Sequence, residues 1–361
     1  MKRHEVGWRR SSSPAGKGIG SARSKSPSPR AANKTPPKNK PRGPFLFGEK
    51  WWLNDPIEMA ANRYDGRGRQ LVFFTIVAVL CCSFLGHEYD NGRLNPHLAP
   101  IDFAKPAITA VPLIALVAFR FCCAAVVWGL VYVKVFTITP FQITFETLER
   151  RDILFKDIGG LWRFQGLTSW GWVLLGVYFT LSGGNALYVL LHPGDANIIP
   201  TRLASFTGVL LLMGTQTALL ITCVVTFVLI PSKVKLGLSI DGFYTRIALL
   251  QHNANLAMIV IELLIGGVSI SARHTPFCIL FGLFYVAVWH QTLRYALTHT
   301  LMYSFLNWHH PHSLKILTAL ILVLFAFSGA AALVEVLRPK PWGPPLIVVV
   351  ACLLTRTRRP K

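Results

Sequence analysis

Residues 70–336 contain seven apolar stretches that are each long enough to cross a lipid bilayer. About 20 helical residues span the hydrocarbon core, and about 17 is near the minimum. The stretches lack the alternating pattern of a β-barrel, and backbone groups in lipid must form hydrogen bonds within their own segment. The sequence therefore predicts an all-α fold, a polytopic transmembrane helical bundle. The predicted spans are residues 70–86, 107–133, 168–191, 203–230, 247–270, 276–297 and 314–336.

A strongly basic tail precedes the first apolar stretch. Residues 1–69 contain 16 Lys and Arg against five Asp and Glu, so they contribute +11 of the formal net charge of +21. Residues 1–44 are rich in Ser, Pro and basic residues and have little apolar surface to bury, which predicts a disordered tail. Such a tail either only sets membrane topology or also binds anionic lipid, at about 1 kcal/mol per basic residue. Because the basic residues do not alternate with aromatic residues in a folded domain, nucleic-acid binding is not expected.

Two further segments flank the predicted transmembrane domain, residues 70–336. Residues 45–69 form a predicted interfacial segment, because aromatic residues such as Trp51 favour the boundary between membrane and water. Residues 337–361 combine a short apolar segment, 344–354, with a basic C-terminus. That apolar segment is either re-entrant, interfacial or the start of an eighth helix.

The distribution of Lys and Arg between the spans predicts the orientation of the bundle. Connections 134–164 and 231–246 carry several basic residues, whereas connection 87–106 carries only Arg93 and Lys105. The N-terminus is therefore predicted to lie in the cytoplasm, and the expected partners of this integral membrane protein are membrane lipids. Both the endoplasmic reticulum and the plasma membrane fit this pattern.

The predicted fifth span carries a stripe of polar and small residues. His252, Asn255, Ile259, Glu262 and Gly266 are spaced by three and four positions, so they fall within an arc of about 80° on a helix. A stripe of this kind is expected to face the interior of the bundle, because ionisable groups avoid lipid. It indicates either a packing network with neighbouring helices or a functional site.

Thr168 opens the predicted third span and is a second candidate for chemistry. A Thr in a membrane helix usually bonds back to a carbonyl one turn earlier, which is its structural interpretation. The third and fifth spans, however, leave the same side of the membrane, so Thr168 and His252 are expected at a similar depth. A hydroxyl beside an imidazole is the basic requirement for covalent acyl transfer.

Several motifs between residues 158 and 308 resemble the androgen-induced-gene family. The motifs are Gly159-Gly160-Leu161-Trp162-Arg163-Phe164 with Leu167-Thr168, the stretch from His252 through Asn253, Asn255 and Met258 to Glu262, Phe284-Tyr285 with Trp289, and Met302-Tyr303-Ser304-Phe305-Leu306. Members of that family are multi-span proteins in which an intramembrane Thr and His hydrolyse fatty-acid esters of hydroxy fatty acids. The resemblance implies that Thr168 is a nucleophile and His252 its general base, with Glu262 and Tyr303 as supporting residues.

The resemblance also implies a mechanism, that of a threonine lipid esterase. A lipid ester enters from the inner leaflet, His252 withdraws the proton of Thr168, and water releases the acyl group. Backbone N–H groups near Gln165 or Gly166, or the side-chain amide of Asn255 as a further supporting residue, are candidates for holding the oxyanion. This chemistry requires no cofactor and no metal.

Two alternatives compete with the hydrolase interpretation. A histidine group near the sixth span suggests a metal site, although an aromatic-rich interfacial loop explains it more simply; its members are His290, His299, His309, His310 and His312. The second alternative is a non-catalytic transporter or scaffold protein, for which intramembrane polar residues would line a path. Those residues are Arg120, Thr215, Gln216, Thr217 and Glu262. The sequence shows no internal repeat of the kind that many transporters have.

Overall fold

A computed structural model describes most of the chain that follows the basic tail. The described residues are 66–91, 93–94, 98–136, 141–147, 153–158, 164–193, 201–235, 239–294, 300–301, 303, 306–308 and 312–355. The predicted disordered tail, residues 1–44, lies outside them, as do residues 45–65 of the predicted interfacial segment.

Seven helices of the described chain are long and apolar enough to cross a membrane, which confirms the predicted helical bundle. The chain is an integral membrane protein. The seven spans, numbered from here on in chain order, are Arg67–Asp90, Leu113–Phe136, Leu167–Leu191, Arg202–Lys235, Arg246–Ile265, Ala272–Leu293 and Ser313–Leu337.

Three of the spans change their helical winding along their length. Span 4 passes from an α-helix, Thr201–Cys223, through a π-helical turn at Val224–Leu229 to a last α-helical turn at Ile230–Lys235. In span 5 the π-helical turn also lies between two α-helical segments, whereas span 6 begins with a 3₁₀ turn and ends in a π-helical segment. Span 5 consists of Arg246–Leu249, the π-helical turn Leu250–Ala254 and Asn255–Ile265, and span 6 consists of Ala272–His274, Thr275–Leu283 and the π-helical Phe284–Arg294. Turns of this type are rare and often lie at functional sites.

Contacts between span ends show that span 1 and span 6 run in opposite directions. Near the start of span 1, Gln291 Nε2 donates a hydrogen bond to Gln70 Oε1 over 2.5 Å. Near the end of span 1, Glu88 lies 3.4 Å from the guanidinium of Arg273, close to the start of span 6. We call the end of the bundle where span 1 begins, at Arg67, the proximal end, and the opposite end the distal end.

Span 3 and span 4 lie at the centre of the bundle. In their most apolar windows 56% and 67% of the residues are buried, against 22% in span 1 and span 7, so the outer spans present most of their surface to lipid. Trp172, Tyr178 and Phe179 of span 3 are among the largest buried side chains. Apolar packing between span 3 and span 4 therefore fixes the positions of the polar residues that these spans carry.

Two predicted boundaries at the distal end are wrong, and backbone chemistry explains both. Span 2 begins at Leu113 rather than at residue 107, since Pro106 and Pro112 cannot donate the hydrogen bonds of a continuous helix. Span 5 ends at Ile265 rather than at residue 270, because the chain becomes extended at Gly266, which pairs with Pro106.

The second connection between spans contains a small sheet that the sequence analysis treated as loop. Strand β1, Phe141–Thr147, pairs in antiparallel fashion with β2, Ile153–Ile158, and with β3, Thr300–Leu301. The signal for β1 is present in the sequence, because Phe, Ile and Phe alternate with Gln, Thr and Glu along it. The sheet joins the connection after span 2 to the connection after span 6.

Three short helical segments lie outside the spans and the sheet in the described chain. Pro100–Ala104 lies between span 1 and span 2, and a 3₁₀ turn at Asp241–Tyr244 precedes span 5. The terminal helix, Gly343–Leu354, has 12 residues. Its length of about 18 Å is too short to cross a bilayer. It runs back from the distal end after span 7 and packs against span 5.

Candidate active site

The polar stripe of span 5 faces the interior of the bundle, as the sequence predicts. Asn255, Ile259, Glu262 and Gly266 are buried, whereas Ala257 on the other face is exposed. Because the helix positions of one stripe are buried together, their polar groups must find partners inside the protein or in a ligand.

His252 lies in the π-helical turn of span 5. Its backbone carbonyl accepts a hydrogen bond of 2.7 Å from the Thr222 hydroxyl of span 4, which fixes this turn against span 4. The imidazole lies beside the Phe243 ring, with 6.0 Å between ring centroids. Its Nδ1 atom is buried and has no hydrogen-bond partner within the described residues. One imidazole nitrogen therefore remains available to an incoming group.

Asn255 lies one turn further along the same face. Its Oδ1 atom accepts a hydrogen bond of 2.8 Å from the Leu256 N–H and one of 3.4 Å from Thr222. The Nδ2 atom is buried and has no partner among the residues that the structure describes. A donor at Asn255 and an imidazole nitrogen at His252 are thus both unsatisfied near the same helix face.

Thr168 stands at the start of span 3 and is half-buried. On this helix Gly171 contacts the Thr217 and Ile221 side chains of span 4, and the Trp172 indole donates to the Gln251 carbonyl of span 5 over 3.0 Å. At about 100° per residue, the Thr168 side chain projects in a direction between those of Gly171 and Trp172. Thr168 therefore points toward the space where span 4 and the π-helical turn of span 5 approach span 3.

The hydrogen bond from Trp172 also relates the positions of Thr168 and His252 along the length of the bundle. Trp172 is four residues, or about 6 Å, along the helix from Thr168, and its side chain leans back toward the start of span 3. Because that indole reaches the residue before His252, Thr168 and His252 lie within about one helical turn of the same level. No hydrogen bond joins their side chains in the described part of the chain.

Tyr303 lies beside the start of span 3. Its hydroxyl accepts a hydrogen bond of 3.3 Å from the Leu167 N–H, the residue before Thr168. The backbone carbonyl of Gln165, two residues before Leu167, accepts hydrogen bonds from the Tyr285 hydroxyl (2.8 Å) and the Trp289 indole (3.3 Å). Aromatic side chains from span 6 and the connection after it thus hold the first turn of span 3 in place.

Lys134 is a residue of this region that the sequence analysis placed in a connection. Span 2 continues to Phe136, so Lys134 lies in the span and is buried. Its ammonium donates to the Ser169 hydroxyl over 2.7 Å and to Gln251 Oε1 over 3.1 Å. The sequence predicts that span 2 ends at Val133, because a Lys directly after an apolar run is usually solvated. The burial of Lys134 was therefore not predicted.

Glu262 does not reach His252. The two residues are ten positions apart on span 5, which is about 15 Å along a helix. Glu262 instead forms an ion pair with Arg120 of span 2, with 2.6 Å between Nη2 and Oε1, and accepts a hydrogen bond of 2.7 Å from the Tyr178 hydroxyl. It joins spans 2, 3 and 5 toward the distal end.

Gln216, another candidate for a transport path, belongs to a separate network. Gln216 donates from Nε2 to the Ser328 hydroxyl and to Thr275 Oγ1, which links spans 4, 6 and 7. Thr215 bonds back to the Leu211 carbonyl over 2.7 Å. Within the described residues, no hydrogen bond connects this network to the pair formed by Arg120 and Glu262, so a continuous polar path has no support from these contacts.

The described residues contain no group of three His, Cys, Asp or Glu side chains that could hold a metal ion. Of the histidine group near span 6, His290 is buried and stacks against the Tyr303 ring, with 6.0 Å between centroids. His312 directly precedes span 7, and the other three members, His299, His309 and His310, lie outside the described residues.

Comparison with protein-family models, with curated proteins and with solved structures finds no match to this chain. The resemblance to the androgen-induced-gene family therefore rests on its sequence motifs alone.

Proposed function

We propose that this integral membrane protein is a lipid-ester hydrolase in which Thr168 is the nucleophile and His252 the general base. The observation that carries the proposal is the buried Nδ1 atom of His252, which has no hydrogen-bond partner among the described residues and lies in a π-helical turn. Buried polar groups are normally satisfied, and the exceptions often have a catalytic role or bind a ligand.

The reaction proceeds in two halves, as in other covalent acyl transfers. His252 accepts the proton of the Thr168 hydroxyl while that oxygen attacks the ester carbonyl. The bond to the leaving alcohol then breaks, and the imidazolium returns the proton to the alcohol. In the second half, His252 deprotonates a water molecule that attacks the acyl-threonine, which releases the fatty acid and restores Thr168.

Two groups near His252 suit the negative charge that develops on the carbonyl oxygen. The Nδ2 donor of Asn255 is buried and has no partner within the described residues. The Lys134 ammonium is fixed by Ser169 and by Gln251, the residue before His252. Preorganised donors and charges of this kind stabilise an oxyanion most effectively where water is excluded.

The first test is labelling of the full-length protein, in detergent, with a fluorophosphonate probe. Wild type is expected to be labelled, whereas Thr168→Ala and His252→Ala lose labelling. Thr180→Ala is a matched control, because Thr180 is a threonine of the same span that bonds to the Gly176 carbonyl and lies about 18 Å along the helix from Thr168.

Ser169→Ala provides the sharpest contrast, since Ser169 is the neighbouring hydroxyl and is bonded to Lys134. The proposal requires that Ser169→Ala keeps most of the labelling, because Gln251 still holds the Lys134 ammonium. Loss of labelling in Ser169→Ala but not in Thr168→Ala contradicts the assignment of the nucleophile. An unlabelled wild type contradicts the hydrolase itself and favours the non-catalytic transporter or scaffold.

A further inference from the structure

A groove separates span 5 from the terminal helix, Gly343–Leu354, and is unrelated to the catalytic proposal. Its cavity volume is about 730 Å³, within the range of about 300–1,000 Å³ that is typical of ligand sites. Most of its walls are apolar. They include Leu250, Ala257 and Ile261 of span 5 and Val348 and Cys352 of the terminal helix.

The groove and the candidate active site lie on different faces of span 5. Ala257 of the groove is exposed, whereas Asn255 of the polar stripe is buried. Groove residues such as Ile261 are 42% exposed in the bundle, in contrast to the buried Glu262 beside it. A molecule in the groove would therefore approach from the surrounding lipid and would not touch the imidazole.

The polar residues of the groove are concentrated toward the proximal end. Arg246 begins span 5 at that end, and its exposed side chain forms no ion pair or hydrogen bond with the described residues. Asn253 and Thr355 are the other polar residues of the lining, which contains no Asp or Glu. The groove thus combines an apolar channel with a positive charge at one end.

We propose that this groove binds one anionic phospholipid, with an acyl chain between span 5 and the terminal helix and the phosphate at Arg246. An amphiphile is the class of ligand that matches an apolar channel ending in a cation. Four further cations follow Thr355 directly in the sequence. Basic pockets between membrane helices on the cytoplasmic side are known to favour anionic head groups, and Arg246 lies on the side predicted to be cytoplasmic.

The length of the terminal helix explains why the groove exists. A full span at this position would pack along the whole of span 5, whereas 12 residues cover only about 18 Å of it. Lys340 and Trp342 precede this helix at the distal end, where the Arg338 guanidinium bonds to the Leu263 and Gly266 carbonyls. The proximal part of span 5 is left for lipid to cover.

Native mass spectrometry of the full-length protein with an equimolar mixture of phosphatidylglycerol and phosphatidylcholine tests the proposal. Wild type is expected to retain one phosphatidylglycerol at least several-fold more often than phosphatidylcholine. Arg246→Gln removes the preference, and Ala257→Phe, which fills the channel, removes the retained lipid. Lys315→Gln and Ala125→Phe are matched controls, because Lys315 and Ala125 are exposed residues of other spans outside the groove.

Equal retention of the two phospholipids by wild type would overturn the proposal, as would equal effects of Arg246→Gln and Lys315→Gln. Retention of a free fatty acid in place of a phospholipid, or dimers that Ala257→Phe dissociates, would show that a different molecule occupies the groove. Monomeric elution and an unchanged unfolding temperature for Ala257→Phe establish that a lost lipid does not reflect a lost fold. None of these readouts depends on ester hydrolysis.

Discussion

The guanidinium of Arg120 and the carboxylate of Glu262 form a buried ion pair between span 2 and span 5. Arg120 donates from Nε to both carboxylate oxygens, each over 3.1 Å, and from Nη2 to Oε1 over 2.6 Å. Its Nη1 atom donates to the carbonyls of Phe103 (2.6 Å) and Ser182 (3.3 Å). Neighbouring groups thus satisfy both charges. Since the carbonyls come from span 3 and from the short helix Pro100–Ala104, the pair connects that helix and three spans.

Breaking this ion pair on one side is expected to destabilise the bundle. Glu262→Gln or Arg120→Met leaves the other charge buried without its partner, which costs roughly 3–5 kcal/mol. The double variant Arg120→Met/Glu262→Met should recover part of that loss, since neither charge remains. Unfolding in detergent, followed by circular dichroism, measures both effects.

The control for these variants is an exposed ion pair. Lys105 and Asp102 lie 3.6 Å apart, with side chains that are 65% and 32% exposed. Exposed pairs contribute about 0–1 kcal/mol, so Lys105→Ala should change stability little. If Glu262→Gln unfolds at the same temperature as Lys105→Ala, the buried pair does not stabilise the fold.

Gly267 is expected to tolerate no side chain. A Cβ atom at this position would lie 2.0 Å from the Lys105 carbonyl oxygen, so Gly267→Ala must separate two backbone segments at the distal end. Gly129→Ala is the matched control, because a Cβ atom there meets nothing within 4 Å. The unfolding temperature should fall for Gly267→Ala. It should stay unchanged or rise for Gly129→Ala, since Ala in a helix is more stable than Gly by about 1 kcal/mol. Equal unfolding temperatures would contradict the close approach.

The spans were predictable from the sequence because an apolar stretch of about 20 residues has the length of a transmembrane helix. The burial of the stripe from Asn255 to Glu262 was predictable as well, since spacing alone fixes a helix face. The end of span 5 at Gly266 was not, because it depends on pairing with Pro106, 160 residues away in the chain. The start of span 2 at Leu113 could have been predicted from Pro106 and Pro112.

Partners of individual polar residues were also beyond the sequence. Arg120 and Glu262 were proposed for one polar path, yet nothing in their spacing indicates that they contact each other. Lys134 was assigned to a connection because it follows an apolar run, and only the packing of spans 2, 3 and 5 reveals its bond to Ser169. Side-chain partners across spans depend on rotation and register, which composition does not determine.

Asn255→Ala is expected to slow fluorophosphonate labelling about 10²–10³-fold, since loss of one oxyanion donor has an effect of that size. Thr222→Val is the matched control. It removes the hydroxyl that bonds to the His252 carbonyl and to Asn255 Oδ1 but leaves the Asn255 amide donor in place. The labelling rates of the two variants are compared at equal probe concentration. Equal rates would exclude the Asn255 amide as an oxyanion donor.

The predicted orientation is testable with glycosylation acceptors inserted between spans. An acceptor inserted within residues 194–200, which follow span 3 at the distal end, should be glycosylated in microsomes. The same acceptor inserted within residues 236–238, between span 4 and span 5, should remain unmodified, because the basic residues near it favour the cytoplasm. A gel-mobility shift removed by endoglycosidase reports each outcome, and the reverse pattern would contradict the orientation.

The proposed hydrolase requires that His252 activates the Thr168 hydroxyl. Peptide mapping of fluorophosphonate-treated wild type by mass spectrometry tests this requirement, because it identifies the modified oxygen and not only a loss of signal. We predict that the adduct lies on Thr168 and is missing from His252→Ala. An adduct on Ser169, or an adduct on Thr168 that forms equally fast in His252→Ala, would contradict the account.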